Sequence, residues 1–239
     1  DGSDPINYPN TDWYDEMLSK NAIQHQHNVS VSGGTDKIRY YVSLGYLRQG
    51  GLWEDLDYKR YNLRSNIDVD ITKTTRLGVD VSGRMENSLN SGSAQGVFQQ
   101  LVRNTPVLLC RYPNGLFAVP DATHPNIVAS NQPGGSYSKG KTFVVDARME
   151  LEQKLDFITE GLSVKGTASF SKNTYRNKAW NVANYVYTLT DGEYVLSPRS
   201  SASLGLTQNS DEYQEYQLQA NYDRSFGQHN VTAMAMVLA

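Results

Sequence analysis

The stretch YNLRSNIDVDITKTTRLGVDVSGRME, from Tyr61 to Glu86, alternates between apolar and polar residues almost without exception. Ile67 belongs to the apolar set and its neighbour Asp68 to the polar set. A period of two residues is that of an extended strand, whose successive side chains point to opposite faces of a sheet. Because the pattern resumes after the polar break Thr72–Thr75, the stretch predicts a hairpin with one apolar and one polar face.

The apolar face of this hairpin needs a dry environment. A second sheet provides one in a soluble sandwich, and hydrocarbon provides one in an outer-membrane barrel. The hairpin alone leaves both architectures open.

Three further stretches repeat the pattern and bring the number of predicted strands to about eight. The four hairpins pair Gln24–Ser32 with Lys37–Arg48, the two halves of Tyr61–Glu86, Thr142–Leu155 with Leu162–Thr174, and Asp211–Asp223 with His229–Leu238. Their turns are short, whereas long connections separate the hairpins at 49–58, 88–141 and 175–210. Transmembrane barrels have short periplasmic turns and long extracellular loops. The alternation therefore favours an antiparallel transmembrane β-barrel over a sandwich.

The longest connection contains one predicted helix, in the segment SAQGVFQQLVRNTP. Ser93 is a candidate N-cap, and Pro106 ends the pattern. The apolar residues on a narrow face of this helix are Val97, Phe98, Leu101 and Val102. We expect this helix to pack within an extracellular loop.

Charge and cysteine content exclude several classes of protein. The 22 basic and 25 acidic residues are mixed along the chain and give a net charge of −3, so no basic stripe indicates nucleic-acid binding. The single cysteine, Cys110, has no partner for a disulfide within the chain. No run of 18 apolar residues predicts a membrane-spanning helix.

Catalytic and metal-binding signatures are also lacking. Carboxylates such as Glu150 and Glu152 would suit a glycosidase only if the fold brought two of them across a cleft. His25 and His27 share a strand face, but two histidines alone do not make a metal site. We therefore expect no enzyme, no catalytic residue, no metal and no cofactor.

Two tryptophans are candidate substrate-binding residues. Trp53 and Trp180 lie in or beside long connections that are rich in tyrosine, and their rings could stack on a sugar. Packing within the loops, or a place in an aromatic membrane girdle, is the alternative for both.

Five short sequence motifs occur in an order that is typical of one protein family. "NTDWYDEML", "QHNVSVSGGTDKIRYYVSLGYLRQGG", "YKRYNLRSNIDVDI", "GLSVKGTASFS" and "HNVTAMAM" resemble the start of the barrel domain in SusC/RagA-like TonB-dependent transporters of Bacteroidetes. The resemblance runs from about Asn10 to the end of the chain and is densest up to Met85.

This resemblance implies a 22-stranded outer-membrane barrel that contains an N-terminal plug. It also implies a SusD-like surface lipoprotein as partner, the TonB complex as the energy source, and an oligosaccharide or peptide as cargo. Plug, TonB-contacting segment and later strands have no counterpart in this sequence, so we expect part of a larger barrel. Residues 1–23 are then a plug-to-barrel junction, and residues 24–239 the N-terminal part of the barrel. The alternative hypothesis is a soluble β-sandwich carbohydrate-binding module.

Overall fold

The computed structural model describes residues 2–19, 21–92, 94–132, 135–182, 185–198 and 201–239. It contains three helices within these ranges, α1 (Trp13–Met17), α2 (Ala94–Arg103) and α3 (Ile127–Ser130). The strands are β1 (Gln24–Gly34), β2 (Ile38–Gly50), β3 (Asp57–Asp70), β4 (Thr75–Asn90), β5 (Tyr137–Lys154), β6 (Leu162–Asn181), β7 (Tyr185–Thr190), β8 (Glu193–Pro198), β9 (Ser203–Phe226) and β10 (His229–Leu238). Among the described helices, none has the length and hydropathy needed to cross a membrane.

Eight of the described strands form one antiparallel sheet, in the order β1-β2-β3-β4-β5-β6-β9-β10. The four predicted hairpins are thereby confirmed, and the register of each pair is continuous. β1 and β10 are the outer strands of this order. Closure into a barrel stays a prediction.

The register assigns the side chains to two faces, because residues opposite each other on paired strands share a face. Ile67 lies opposite Val79, which lies opposite Met149. The polar set follows the same rule, since Asn66 lies opposite Asp80, which lies opposite Arg148. The alternation in the sequence therefore continues across β3, β4 and β5 as one apolar and one polar face. On β6 and β9 the apolar face also carries the ion pair Lys172–Glu212, whose row contains Val145.

The apolar face is open to its surroundings. Ile67 is 38% exposed, Phe143 49% and Met149 51%. Within the described residues, the only other sheet is the two-stranded β7–β8 ribbon, which belongs to the connection between β6 and β9. A β-sandwich needs a second sheet against this face, and the described part of the chain does not provide one.

Strand lengths suit a crossing of the bilayer. β5, β6 and β9 have 18, 20 and 24 residues, well above the 9–11 that a tilted transmembrane strand requires. On β5 the apolar positions run from Phe143 to Leu151. This run is about 27 Å along the strand, or about 20 Å perpendicular to a membrane at a tilt of about 40°, close to the apolar band of about 25 Å in such proteins.

The connections differ between the two ends of the sheet. The turns at 35–37, 71–74, 155–161 and 227–228 lie at one end of the sheet, and the connections at 51–56, 91–136 and 182–202 lie at the other. The connections at 91–136 and 182–202 are long as predicted, whereas the predicted long connection between β2 and β3 has six residues, fewer than the seven of the turn at 155–161. α2 confirms the helix predicted in the longest connection, although its candidate cap Ser93 lies outside the described residues. The β7–β8 ribbon and the extension of β9 back to Ser203 were not predicted.

Candidate functional site

The polar face of the main sheet carries a groove of about 480 Å³ across strands β3, β4, β5, β6 and β9. Two of its register rows run Arg64, Ser82, Asp146, Ser171, Tyr213 and Asn66, Asp80, Arg148, Ser169, Glu215. Apart from Glu215, all of these residues line the groove. Since every strand contributes one side chain to each row, the period of two in the sequence places these groups together.

Asp146 is the centre of this groove. Ser171 Oγ donates a hydrogen bond to its Oδ1 at 2.7 Å, and Ser82 Oγ donates one to its Oδ2 at 3.2 Å. The two serines belong to the strands on either side, β6 and β4. Their hydroxyl groups therefore fix the orientation of an exposed carboxylate.

The neighbouring charges are held in place within the same face. Arg148 is bonded to Glu150, and Asn66 to Asp80. Arg64 Nε donates a hydrogen bond to Asn66 Oδ1 at 3.1 Å. The groove thus offers carboxylates, guanidinium groups and hydroxyls together, which suits binding of a polar partner or cargo and requires a hydrated or polar environment.

A second cluster of interest lies among the long connections, and it is apolar. We call it the loop cluster, and it consists of Trp13, Met17, Trp53, Val97, Leu101, Cys110, Ile127 and Val128. Its members come from α1, from the β2–β3 connection, and from α2, α3 and the chain between them. Distant parts of the sequence are therefore packed into one small core.

Trp53 is a member of this cluster and is only 3% exposed. Its Nε1 donates a hydrogen bond to Ser91 Oγ at 3.1 Å, and its ring meets that of Phe98 edge-on at 6.2 Å between centroids. In this arrangement protein covers the ring that was predicted to stack on cargo. A contact of Trp53 with cargo stays a prediction, and it would require the loop cluster to open.

The N-terminal segment also joins the loop cluster. Thr11 N donates a hydrogen bond to Pro106 O at 2.8 Å, Trp13 Nε1 donates one to Thr105 O at 3.1 Å, and Ser19 N donates one to Leu52 O at 2.6 Å. Asp12 caps α1 by accepting hydrogen bonds from the amides of Tyr14 and Asp15. The segment before β1 is therefore fixed to the end of the sheet that carries the long connections.

Cys110 lies inside the loop cluster and is 1% exposed. Burial, reinforced by the charge of Glu16, raises the pKa of its thiol to about 12. A thiol must lose its proton to act as a nucleophile, so Cys110 has a packing role.

Trp180 has a different position from Trp53. It is half-buried near the end of β6 and lies opposite Tyr137 on β5. The register places both residues on the face that carries Phe143 and Met149, rather than on the face with the groove. The structure thus does not bring Trp53 and Trp180 together, and a contact of Trp180 with cargo stays a prediction.

Metal binding finds no support in the described part of the chain, where no group of three or more His, Cys, Asp or Glu side chains could hold an ion. The rings of His25 and His27 lie 5.3 Å apart and pack near Tyr46. These aromatic contacts explain why the two histidine rings lie close together.

Several known proteins are similar to this chain in sequence or in fold, although no family model matches it. TonB-dependent receptor P3 of Formosa agariphila is 27% identical over 238 residues, which cover 94% of this chain and 22% of that protein. TonB-dependent receptor SusC of Bacteroides thetaiotaomicron is 34% identical over 58 residues, which cover 24% of this chain and 6% of SusC.

The predicted resemblance to SusC/RagA-like TonB-dependent receptors is confirmed. The structure of the RagAB peptide importer in the closed-closed state matches 97% of this chain with a TM-score of 0.71 and 20% identity, and it supports the fold. Two curated relatives match more than 90% of this chain, and the chain spans only 22% and 20% of their lengths. It spans 25% of the RagAB chain.

Proposed function

We propose that this chain forms part of the wall of a TonB-dependent importer of the SusC/RagA type in the outer membrane. Its apolar face, with Ile67, Val79 and Met149, contacts lipid. Its polar face, with Asp146 and Arg148, lines the interior of a larger barrel. The long connections are extracellular and the short turns are periplasmic.

One observation carries this proposal: the same sheet has an exposed apolar face and, on its other side, a groove rich in charged groups. Phe143 is 49% exposed on the first face, and Asp146 is exposed on the second. Hydrocarbon on one side and a hydrated or polar interior on the other satisfy both faces at once. The similarity to TonB-dependent receptors supports the same arrangement.

The partners and cargo of the complete protein follow from this proposal. A SusD-like lipoprotein covers the extracellular side, and the TonB complex supplies energy through a part of the protein outside this sequence. The cargo is an oligosaccharide or a peptide. The charged and hydroxyl groups of the groove suit polar cargo or the polar surface of a plug.

Substitution of one outward residue tests the orientation of the sheet. In the full-length protein, Val79→Arg should impair barrel assembly, because arginine on the lipid face near the bilayer midplane costs about 2–4 kcal/mol. The readout is the heat-modifiable band of the folded protein in outer-membrane fractions. Ser82→Arg is the matched control, since it places the same side chain on the polar face beside Asp146. Equal assembly of wild type and Val79→Arg would refute the proposed orientation.

Uptake is tested separately in cells. Deletion of the complete gene should abolish growth on one class of a panel of oligosaccharides and peptides, and the intact gene should restore it. Unchanged growth and uptake on every member of the panel would contradict the transport role.

A further inference from the structure

Four cations lie together on the apolar face of the sheet, near the end with the long connections. Lys141 on β5 is opposite Arg176 on β6, and in the next register row Lys139 is opposite Lys178. All four side chains are exposed. We call Lys139, Lys141, Arg176 and Lys178 the basic cluster.

The basic cluster contains two cross-strand pairs of like charge, which destabilise a sheet unless something neutralises them. The neighbouring strands do not provide an anion, because the residues opposite the cluster on β4 and β9 are Asn87, Leu89, Gln208 and Leu206. Among the described residues, no carboxylate forms an ion pair with any member of the cluster.

A similar pair elsewhere on the same face shows what the cluster lacks. Arg48 on β2 is opposite Lys59 on β3. There Asp57 accepts hydrogen bonds or ionic contacts from both, at 2.9 Å from Arg48 Nε and 3.3 Å from Lys59 Nζ. The chain thus neutralises one like-charge pair internally and leaves the basic cluster without a counterion of its own.

The position of the cluster indicates where a counterion would come from. The cluster follows directly after a register row that contains Tyr46 on β2, Tyr61 on β3 and Phe143 on β5, with Met85 on β4 between the last two. The rings of Tyr46 and Tyr61 lie 5.1 Å apart. Aromatic rows of this kind mark the boundary between hydrocarbon and headgroups. The cations beyond that row are therefore at headgroup level, on the side of the long connections.

The opposite end of the same face has a different composition. Its last rows contain uncharged residues such as Leu151, Val164 and Ala220. Two further cations of this face lie away from the cluster, and each has a carboxylate partner: Lys172 Nζ lies 3.2 Å from Glu212 Oε2, and Arg224 Nη2 lies 3.5 Å from Glu160 Oε2. Among the described residues of this face, the cations without an ion-pair partner therefore lie at one of the two membrane boundaries.

We propose that the basic cluster binds the phosphate groups of an anionic lipid headgroup in the extracellular leaflet. This inference rests on the proposed function, because it requires the apolar face to contact lipid. Arg176 offers a planar fork of donors that matches phosphate, and the lysines add point charges. Opposite Cβ atoms on paired strands are about 5 Å apart, and alternate residues along a strand are about 6.6 Å apart. Four cations at this spacing surround a phosphate group.

Aromatic residues border the cluster on its far side as well. Lys139 Nζ lies 4.5 Å from the ring centroid of Tyr137, which is opposite Trp180. Tyrosine and tryptophan combine an apolar ring with a polar edge and suit the headgroup region. The proposal thus gives Trp180 a place beside lipid headgroups.

Lipid binding by the full-length receptor in neutral detergent tests the proposal. The probe is lipid A, a lipid with two phosphates, titrated in mixed micelles and followed by native mass spectrometry. Lys141→Gln/Arg176→Gln should weaken binding about 30-fold, because each cation near an anionic lipid contributes about fivefold in affinity. Lys141→Arg/Arg176→Lys keeps the charge and should keep the affinity.

Arg48→Gln/Lys59→Gln is the matched control, because it removes two cations at the same level that Asp57 already neutralises. Equal weakening in this control would overturn the proposal, as would unchanged affinity in Lys141→Gln/Arg176→Gln. If inorganic phosphate stabilised the receptor as much as lipid A does, the lipid would also be excluded as the specific ligand. Each variant is first assayed for the heat-modifiable folded band. Unchanged lipid affinity with an assembled barrel refutes this inference alone, whereas a wild-type protein that forms no outer-membrane barrel refutes the proposed function.

Discussion

Trp53 donates its indole N–H to Ser91 Oγ at 3.1 Å, and this hydrogen bond joins residues 38 positions apart in the sequence. Ser91 Oγ in turn donates to the carbonyl oxygen of Glu54 at 3.1 Å. The β2–β3 connection is thereby fixed to the β4–β5 connection. Both connections contribute residues to the loop cluster, so they form one folded unit with its own small core.

Truncation of Trp53 should loosen this unit. In the full-length protein, Trp53→Ala should destabilise the loop cluster by about 3–5 kcal/mol, because it removes a large buried ring. Trp53→Phe should cost less, since it keeps most of the packing and loses the hydrogen bond to Ser91, worth about 1 kcal/mol. Hydrogen exchange of the amides in α2 and α3 is the measurement.

The matched control for Trp53 is Phe157→Ala, which removes an 81% exposed ring from a short turn at the other end of the sheet. It should leave exchange in α2 and α3 unchanged. Wild-type protection in Trp53→Ala would show that the indole does not hold the loops together.

Labelling of exposed residues in intact cells should show which end of the sheet is extracellular. Tyr8 is 64% exposed in the N-terminal segment, and Val102 is 75% exposed on α2. Because hydrogen bonds fix the N-terminal segment beside the long connections, Tyr8→Cys and Val102→Cys in the full-length protein should both react with a membrane-impermeant maleimide. Phe157→Cys should react only after the outer membrane is permeabilised.

This experiment also tests the interpretation of residues 1–23 as a junction. Labelling of Tyr8→Cys from outside would place this segment on the extracellular side, as an extension of the loops. If Tyr8→Cys, like Phe157→Cys, were labelled only after the outer membrane is permeabilised, the proposed position of the long connections would be contradicted. The native Cys110 should contribute little background, because it is 1% exposed.

The face assignment could be predicted from the sequence because it is a local property. Each strand carries its own period of two, so Ile67 and Asp68 fall on opposite faces whatever the rest of the chain does. The early start of β9 had a signal of the same kind, since Leu204 and Leu206 alternate with Gly205 and Thr207. The basic cluster also follows from alternation once the register between β5 and β6 is known.

The loop cluster could not be predicted in this way. Trp13 contacts Thr105 across 92 positions, and Trp53 contacts Ser91 across 38. Such contacts depend on which connections meet at one end of the sheet, and no local pattern records that. The same limit explains why the sequence left open whether Trp53 stacks on cargo or packs within the loops, whereas the structure buries it.

Cys110 should react slowly with alkylating reagents. Its pKa is raised from 9.0 to about 12, so at pH 8.5 the thiolate fraction in the folded protein is about a thousandfold below that of an exposed thiol. Because the pKa of the thiol is higher in the folded than in the unfolded protein, burial of the neutral thiol contributes fully to the free energy of unfolding below pH 9.0. This contribution is lost as the pH rises to about 12. Iodoacetamide labelling of the folded and the denatured full-length protein measures the difference. Tyr8→Cys provides an exposed thiol for comparison, and equal rates at Cys110 and at that thiol would contradict the burial of Cys110.

Gly161 should be the turn glycine that tolerates a side chain least. It has a positive φ of 85°, and a Cβ added there would overlap the carbonyl oxygen of Asp223, whose own N–H donates to Gly161 O at 2.9 Å. Gly161→Ala should therefore lower the free energy of unfolding by about 1–2 kcal/mol because of the left-handed backbone, and by about 1–3 kcal/mol more because of the overlap. Gly227→Ala is the matched control, because Gly227 also has a positive φ, of 59°, but a Cβ there would meet open space. The unfolding temperature of the full-length protein in detergent should fall further for Gly161→Ala than for Gly227→Ala. Equal shifts would show that the backbone near Asp223 moves aside without cost.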